Sequence, residues 1–297
     1  MNEGTSPEDQ SLKSRSMGTP LMALANYIYR ATPFRSLRTI YFKVFCFAVR
    51  GRVVQVEIDG ACFELDLGET IDLALYLHQF EPDVVRAIEA NCRPGMTVID
   101  IGANIGAHAL RLAQIVGSSG YLYAFEPTSY AFRKLDRNLS LNSFSHAKAF
   151  QIALSDQNAK DREIRIRSSW RTDGRHYIGT DRIDFMRLDD WCAHEGVDHV
   201  DLIKLDVDGN EFSIIAGGIS IIRRCHPVFV MEAVGPHFEN DACNPFAVLA
   251  GLGYRFWDTK TDTEYSRPEE MRALLPRGDH EMTQSINVIA KSTDRAV

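Results

Sequence analysis

The segment M-T-V-I-D-I-G-A-N-I-G-A-H, residues 96–108, decides how the rest of the chain is read. Its first half is short, β-branched and apolar on both alternating sides, as in a strand buried on both faces of a parallel sheet. A tight glycine turn follows, then the start of a helix. In an open α/β sheet such a turn lies at the carboxyl end of the first strand, where nucleotide ligands bind. Gly102 and Gly106 let the backbone approach a ligand with no Cβ in the way. Asn104 stands between them, and Asn is among the few residues that tolerate left-handed dihedrals.

A glycine turn alone does not say which nucleotide it holds, so the nearby charge must. Asp100 ends the strand, and no Lys or Arg occurs between Met96 and Leu110. A dinucleotide would bring two phosphates to an unneutralised carboxylate, at a cost on the order of one to several kcal/mol. S-adenosyl-L-methionine has no phosphate and carries two cations, an ammonium and a sulfonium, for which Asp100 is an attractive neighbour. The plainer reading is that Asp100 caps the turn. The next strand ends in Phe125-Glu126-Pro127, about twenty residues on, where an acid can accept hydrogen bonds from ribose hydroxyls. Pro127 stops that strand. Ser155 and Asp156, after the third strand, would lie near an adenine or serve as ordinary turn residues.

Working outward, residues 52–67 alternate and turn at Asp59-Gly60, a hairpin signature. Residues 83–91 carry helical periodicity, ended by Arg93-Pro94-Gly95. Beyond the glycine turn, helices are expected at 107–116, 129–141, 211–216 and 246–252, alternating with strands at 121–125, 149–154, 202–207 and 228–232. Such alternation implies right-handed βαβ units in an open sheet with helices on both faces. Residues 254–258 and 285–290 read as an antiparallel strand pair with no helical pattern between them. The domain plan is a disordered tail over 1–20, a helical segment over 21–50, a hairpin with lead-in helix over 51–95 and the α/β domain over 96–292.

The strand D-L-I-K-L-D-V-D-G-N-E, residues 201–211, is apolar except for Lys204, Asp206 and Asp208, which even spacing places on one side of an ideal strand. Charges on a buried strand need partners or a function. Asp206 is a candidate general base toward an acceptor hydroxyl, with Lys204 pairing to hold it ionised. A structural ion pair is the alternative. Glu232 ends the next strand and is a second candidate base. His237, five residues on, reads as part of a solvated loop. Asp206, Asp208, Glu211 and Glu232 have the oxygen chemistry of a magnesium site, but their spacing establishes none, and no metal is expected.

With these residues in place, the chain resembles the FkbM family of S-adenosylmethionine-dependent methyltransferases. The resemblance spans about residues 80–290. It rests on F-E-P at Phe80, M-T-V-I-D-I-G-A-N-I-G, A-F-E-P followed by L-D-R-N-L-S-L-N, then A-L-S-D, R-L-D-D-W, D-L-I-K-L-D-V-D-G-N-E and P-V-F-V-M-E. It implies an α/β class I methyltransferase (Rossmann-like) fold: a seven-stranded, mostly parallel sheet with an antiparallel final strand, here extended by an N-terminal helix and hairpin. It also implies O-methylation of a sugar, glycan or natural product, with the acids at Asp100 and Glu126 contacting the cofactor. The chain departs from the family at Asp208, where Glu is usual, and around Ala216-Gly217-Gly218.

The 297 residues, 45% hydrophobic, suit one sizeable core with a terminal extension. A net charge of -7 argues against nucleic acid as partner. Six well-separated cysteines, with no C-x-x-C pair, suggest neither zinc site nor disulfide framework and fit a reducing, cytoplasmic setting. Residues 21–49 are apolar but broken by Arg30, Arg35, Arg38 and Lys43, too short in any run to span a bilayer. They read as a flanking helix, with peripheral contact to an anionic membrane as the alternative. Residues 157–189 leave the α/β pattern with several Arg, Trp170 and Tyr177, suiting either an exposed hairpin or the recognition of a polar acceptor. Competing functions are a nicotinamide-dependent oxidoreductase and a non-catalytic cofactor-binding module. Nothing in the sequence sets the oligomeric state.

Overall fold

The computed structural model describes residues 44, 46–49, 51–173, 176–207, 209–238, 243–272 and 285–294. The tail over 1–20 and most of the 21–50 segment, with its membrane alternative, lie outside the described residues. Among those described, no helix is long and apolar enough to cross a membrane. The chain divides into two compact units, Met1–Phe80 with Ser169–Tyr177, and Glu81–Ser168 with Ile178–Val297.

In the first unit, β1 (Val53–Ile58) and β2 (Ala61–Asp66) pair antiparallel, with Ile58 opposite Ala61. Asp59 and Gly60 both take positive φ, 49° and 83°. Two positive φ values in a two-residue loop are what the right-handed twist of a hairpin requires, and Asp-Gly supplies them at low cost. A seven-residue helix, α1 (Thr70–Tyr76), follows; it is too short for its periodicity to stand out in the sequence. Buried Asp72 accepts the backbone N–H of Asp66 at 2.8 Å, tying this helix to the hairpin.

The second unit holds an eight-stranded sheet. Its parallel part runs β5 (Ala147–Phe150), β4 (Tyr121–Phe125), β3 (Thr97–Ile101), β9 (Leu202–Leu205), β10 (Val228–Val234). Beyond β10 lie β13 (Ser285–Ser292), β11 (Tyr254–Asp258) and the two-residue β12 (Glu264–Tyr265), each antiparallel to its neighbour. This is the class I methyltransferase arrangement, with the terminal antiparallel strands in their expected place and one short edge strand more than the seven expected.

Period two sorts the central strands onto two cores. Val98, Leu202 and Val230 pack with α2 (Pro82–Asn91), α3 (Ala107–Val116) and Leu135 of α4 (Ser129–Ser140). Ile99, Ile203 and Phe229 face the opposite way, toward α5 (Leu188–Glu195), α6 (Glu211–Gly217), α7 (Ile219–Cys225) and α8 (Pro245–Gly251).

Three expectations need correction. The strand expected over 149–154 is two strands: β5 ends at Phe150, and β6 (Ile152–Ser155) joins a separate three-stranded sheet. The break falls at Gln151, whose side-chain amide donates to Ser129 Oγ at 2.8 Å and so holds the chain against the start of α4. The other two strands are β7 (Ala159–Trp170) and β8 (His176–Arg187), so residues 157–189 form mainly a long hairpin; the side chains of Trp170 and Tyr177 lie outside the described part. Finally, the stretch between β11 and β13 is not free of helix, since α9 (Pro268–Arg272) buries Met271 in the core.

Candidate functional site

The carboxyl ends of β3, β4 and β9 converge on the glycine turn. Gly102, Asn104 and Gly106 all take positive φ, 79°, 48° and 91°, so Asn104 does adopt the left-handed conformation. The N–H groups of Gly102 and Ala103 both donate to Phe125 O, at 3.0 and 2.9 Å, fastening the turn to the end of β4. From below, Asn138 donates to Ile105 O at 2.8 Å. A Cβ on Gly102 would overlap the Asp206 carbonyl oxygen and come within 3.1 Å of Val207 Cγ1. Only glycine lets the chain after β9 lie against the turn.

Asp100 is fully buried, and neither carboxylate oxygen has a hydrogen-bond partner among the described residues. The sequence left this carboxylate unneutralised, and here the structure corrects it. β3 and β9 pair with Asp100 opposite Lys204, which puts Lys204 Nζ 3.4 Å from Asp100 and 3.3 Å from Asp206. Lys204 also donates to Gly102 O at 3.2 Å. Burial alone would push the Lys204 ammonium down, but attraction by Asp100 and Asp206 outweighs it and holds the group above its ordinary value. A cation so held is no base. Two carboxylates around one ammonium leave the cluster with one net negative charge, and the preference for a cationic ligand survives in that weaker form.

Glu126 is buried at the end of β4. It accepts Asn104 N–H at 3.1 Å through one oxygen, and Thr128 N–H and O–H at 2.9 and 2.6 Å through the other. Burial pushes its pKa up, against the donors from Thr128 and Asn104 and the Lys204 charge. These bonds fix the side chain's orientation and leave part of its acceptor capacity for a ligand.

Asp206 lies just past the end of β9, which stops at Leu205 rather than continuing to Val207; its side chain is 31% exposed. Asp208 lies outside the described residues. Glu232 is on β10, two residues beyond Val230, which is paired with Lys204, so it shares the sheet face of Lys204 and Asp100. Ser155 ends β6 and Asp156 follows it, with Ser155 Oγ donating to Asp156 Oδ1 at 3.1 Å. Gly217 of α6 packs so closely on Ser155 that a Cβ there would overlap its carbonyl oxygen. His237 is not in a solvated loop. It is 4% exposed and lies 2.6 Å from the fully buried Glu211. Among the described residues no group of three or more His, Cys, Asp or Glu side chains has metal-binding geometry.

Sequence reasoning missed one pair. His108, in the first turn of α3, contacts Glu81 at 2.7 Å, and Glu81 holds a left-handed φ of 37°. The Glu81 charge also acts on Lys204. The F-E-P block that contains Glu81 was visible in the sequence, but nothing local to it names a partner some 27 residues away.

Comparison with known proteins adds the following. The family model described as "Methyltransferase FkbM domain" matches residues 100–282. The 2-O-methyltransferase NoeI of Sinorhizobium fredii is 30% identical over 156 residues, 46% of this chain, and the match spans 63% of NoeI, short of two thirds. Methyltransferase sdnD of Sordaria araneosa is 26% identical over 222 residues, 63% of this chain and 83% of that protein. The crystal structure of methyltransferase FkbM from Methylobacillus flagellatus superposes with a TM-score of 0.41 at 15% identity, covering 85% of this chain and 60% of that one.

Proposed function

The chain belongs to the FkbM methyltransferase family, whose domain matches residues 100–282, and from that premise we propose that it moves the methyl group of S-adenosyl-L-methionine onto a hydroxyl of a sugar, glycan or natural product. The observation that carries this reading is the Asp100 carboxylate: buried beside the glycine turn, with no hydrogen-bond donor among the described residues and the Lys204 ammonium 3.4 Å away. A cationic nucleoside fits there, and a pyrophosphate does not. Asp100, Gly102, Asn104 and Gly106 would hold the methionine side, Glu126 the ribose, and Ser155 with Asp156 the adenine. When bound, this cofactor supplies a methyl carbon made electrophilic by the adjoining sulfonium.

The protein's part is alignment and proton removal. Asp206, 31% exposed and 3.3 Å from the Lys204 ammonium, takes the proton of the acceptor hydroxyl. Glu232, on the same face, is the alternative base. The hydroxyl class follows from this acid-lined rim and is in keeping with a relative named as a 2-O-methyltransferase. The net negative chain does not suit nucleic acid.

The test is incubation with isotopically labelled S-adenosylmethionine and extract of the source cell, followed by mass analysis of labelled glycans and small molecules. Asp206→Asn should retain cofactor binding and lose transfer by about 10²- to 10⁴-fold. Unchanged transfer in that variant removes Asp206 as base.

A further inference from the structure

Glu211 and His237 form a buried dyad that the reaction chemistry does not use. Glu211 opens α6, and His237 lies in the short 3-10 turn Gly235–Phe238 that follows β10. Both side chains are nearly inaccessible, at 0% and 4%. Burying a carboxylate is costly unless donors surround it. The Glu211 carboxylate has three: Val207 N–H at 3.2 Å and Gly209 N–H at 3.3 Å on Oε1, and His237 Nε2 at 2.6 Å on Oε2.

The chain of bonds has a direction. Val234 N–H points at His237 Nδ1 at 3.3 Å, and a backbone N–H can only donate. Nδ1 is therefore the acceptor, and the ring proton sits on Nε2, from which it is donated to Glu211. One continuous path thus runs from the end of β10, two residues past Glu232, through the ring and the carboxylate, to the backbone directly after Asp206.

We infer that Glu211 and His237 are positioning residues that set the separation of the two acceptor-side acids, Asp206 and Glu232, by clamping the β9 loop to the β10 loop. This deepens the methyl-transfer reading and rests on its assignment of those acids. Reacting groups displaced by about 1 Å lose about 10²-fold in rate. A clamp acting on the loop that carries Asp206, and not on Asp100 or Glu126, should therefore move transfer far more than cofactor affinity.

Two variants split the ring's functions. His237→Gln can place a donor where Nε2 stood and keep the Glu211 bond. His237→Asn can mimic only Nδ1, keeping Val234 and releasing Glu211. Full-length wild type and both variants are compared for S-adenosylmethionine affinity by calorimetry, methyl transfer to the labelled extract fraction, and amide hydrogen exchange at Val207 and Gly209. The expected result for His237→Asn is faster exchange at both amides, transfer lower by about 10²-fold and affinity changed by far less than that, with His237→Gln close to wild type in all three. Equal behaviour of the two variants, or His237→Asn losing affinity in step with transfer, overturns the clamp. Should wild type itself neither bind the cofactor nor transfer, the methyl-transfer reading fails first, and unchanged amide exchange in His237→Asn would still overturn the clamp separately.

Discussion

Gly102→Ala should abolish S-adenosylmethionine binding and lower stability by about 3 kcal/mol or more. Two costs combine at this position. A left-handed φ of 79° is penalised by about 1–2 kcal/mol in any residue bearing a Cβ. The methyl would also overlap the Asp206 carbonyl oxygen and stand 2.9 Å from its carbon. That neighbour is backbone and cannot rotate aside. Either the turn leaves its left-handed conformation or the β9 loop withdraws, and each outcome dismantles the place where Asp100, Lys204 and Asp206 meet. Denaturant unfolding gives the stability loss, and calorimetry gives the binding loss. A variant as stable as wild type with cofactor affinity intact would show that the turn and the β9 loop need not touch.

Lys204→Met should destabilise the protein by about 3–5 kcal/mol, because removing one partner of a buried ion pair leaves the other uncompensated. Asp100, fully buried and without hydrogen bonds among the described residues, would keep its burial and lose its cation. The double variant Asp100→Asn with Lys204→Met removes both charges and should recover much of that stability while failing to bind the cofactor. Denaturation of wild type and the two variants at neutral pH separates these outcomes. If the single Lys204 change is as mild as a surface substitution, the Asp100–Lys204 contact contributes nothing and the electrostatic description of the cleft is wrong.

What the sequence makes legible is what depends on short-range pattern. V-I-D-I, L-I-K-L and V-F-V-M read as strands because each is a short, mostly apolar run, and each is a strand. The 107–116 helix and the Asp59-Gly60 turn fall where their local chemistry puts them. Long-range register is what stays hidden. The pairing of Asp100 with Lys204 depends on β3 and β9 lying side by side in one register, which neither segment encodes alone. The same holds for His237, whose residue type suits a solvated loop until Glu211 arrives from another element. Glu81 and His108 are hidden for the same reason. The break at Gln151 escapes because an apolar run carries no mark of which sheet each half joins.

The residues placed in the cleft were legible as residue types, and their roles rest on the cationic cofactor. Calorimetric titration of the purified full chain with S-adenosylmethionine and, separately, with NAD is the most direct measurement. Saturable binding of S-adenosylmethionine at micromolar concentration, weakened in Asp100→Asn and with no measurable heat from NAD, is the result this structure predicts. Tighter binding of NAD, or no S-adenosylmethionine binding at millimolar concentration, would contradict it.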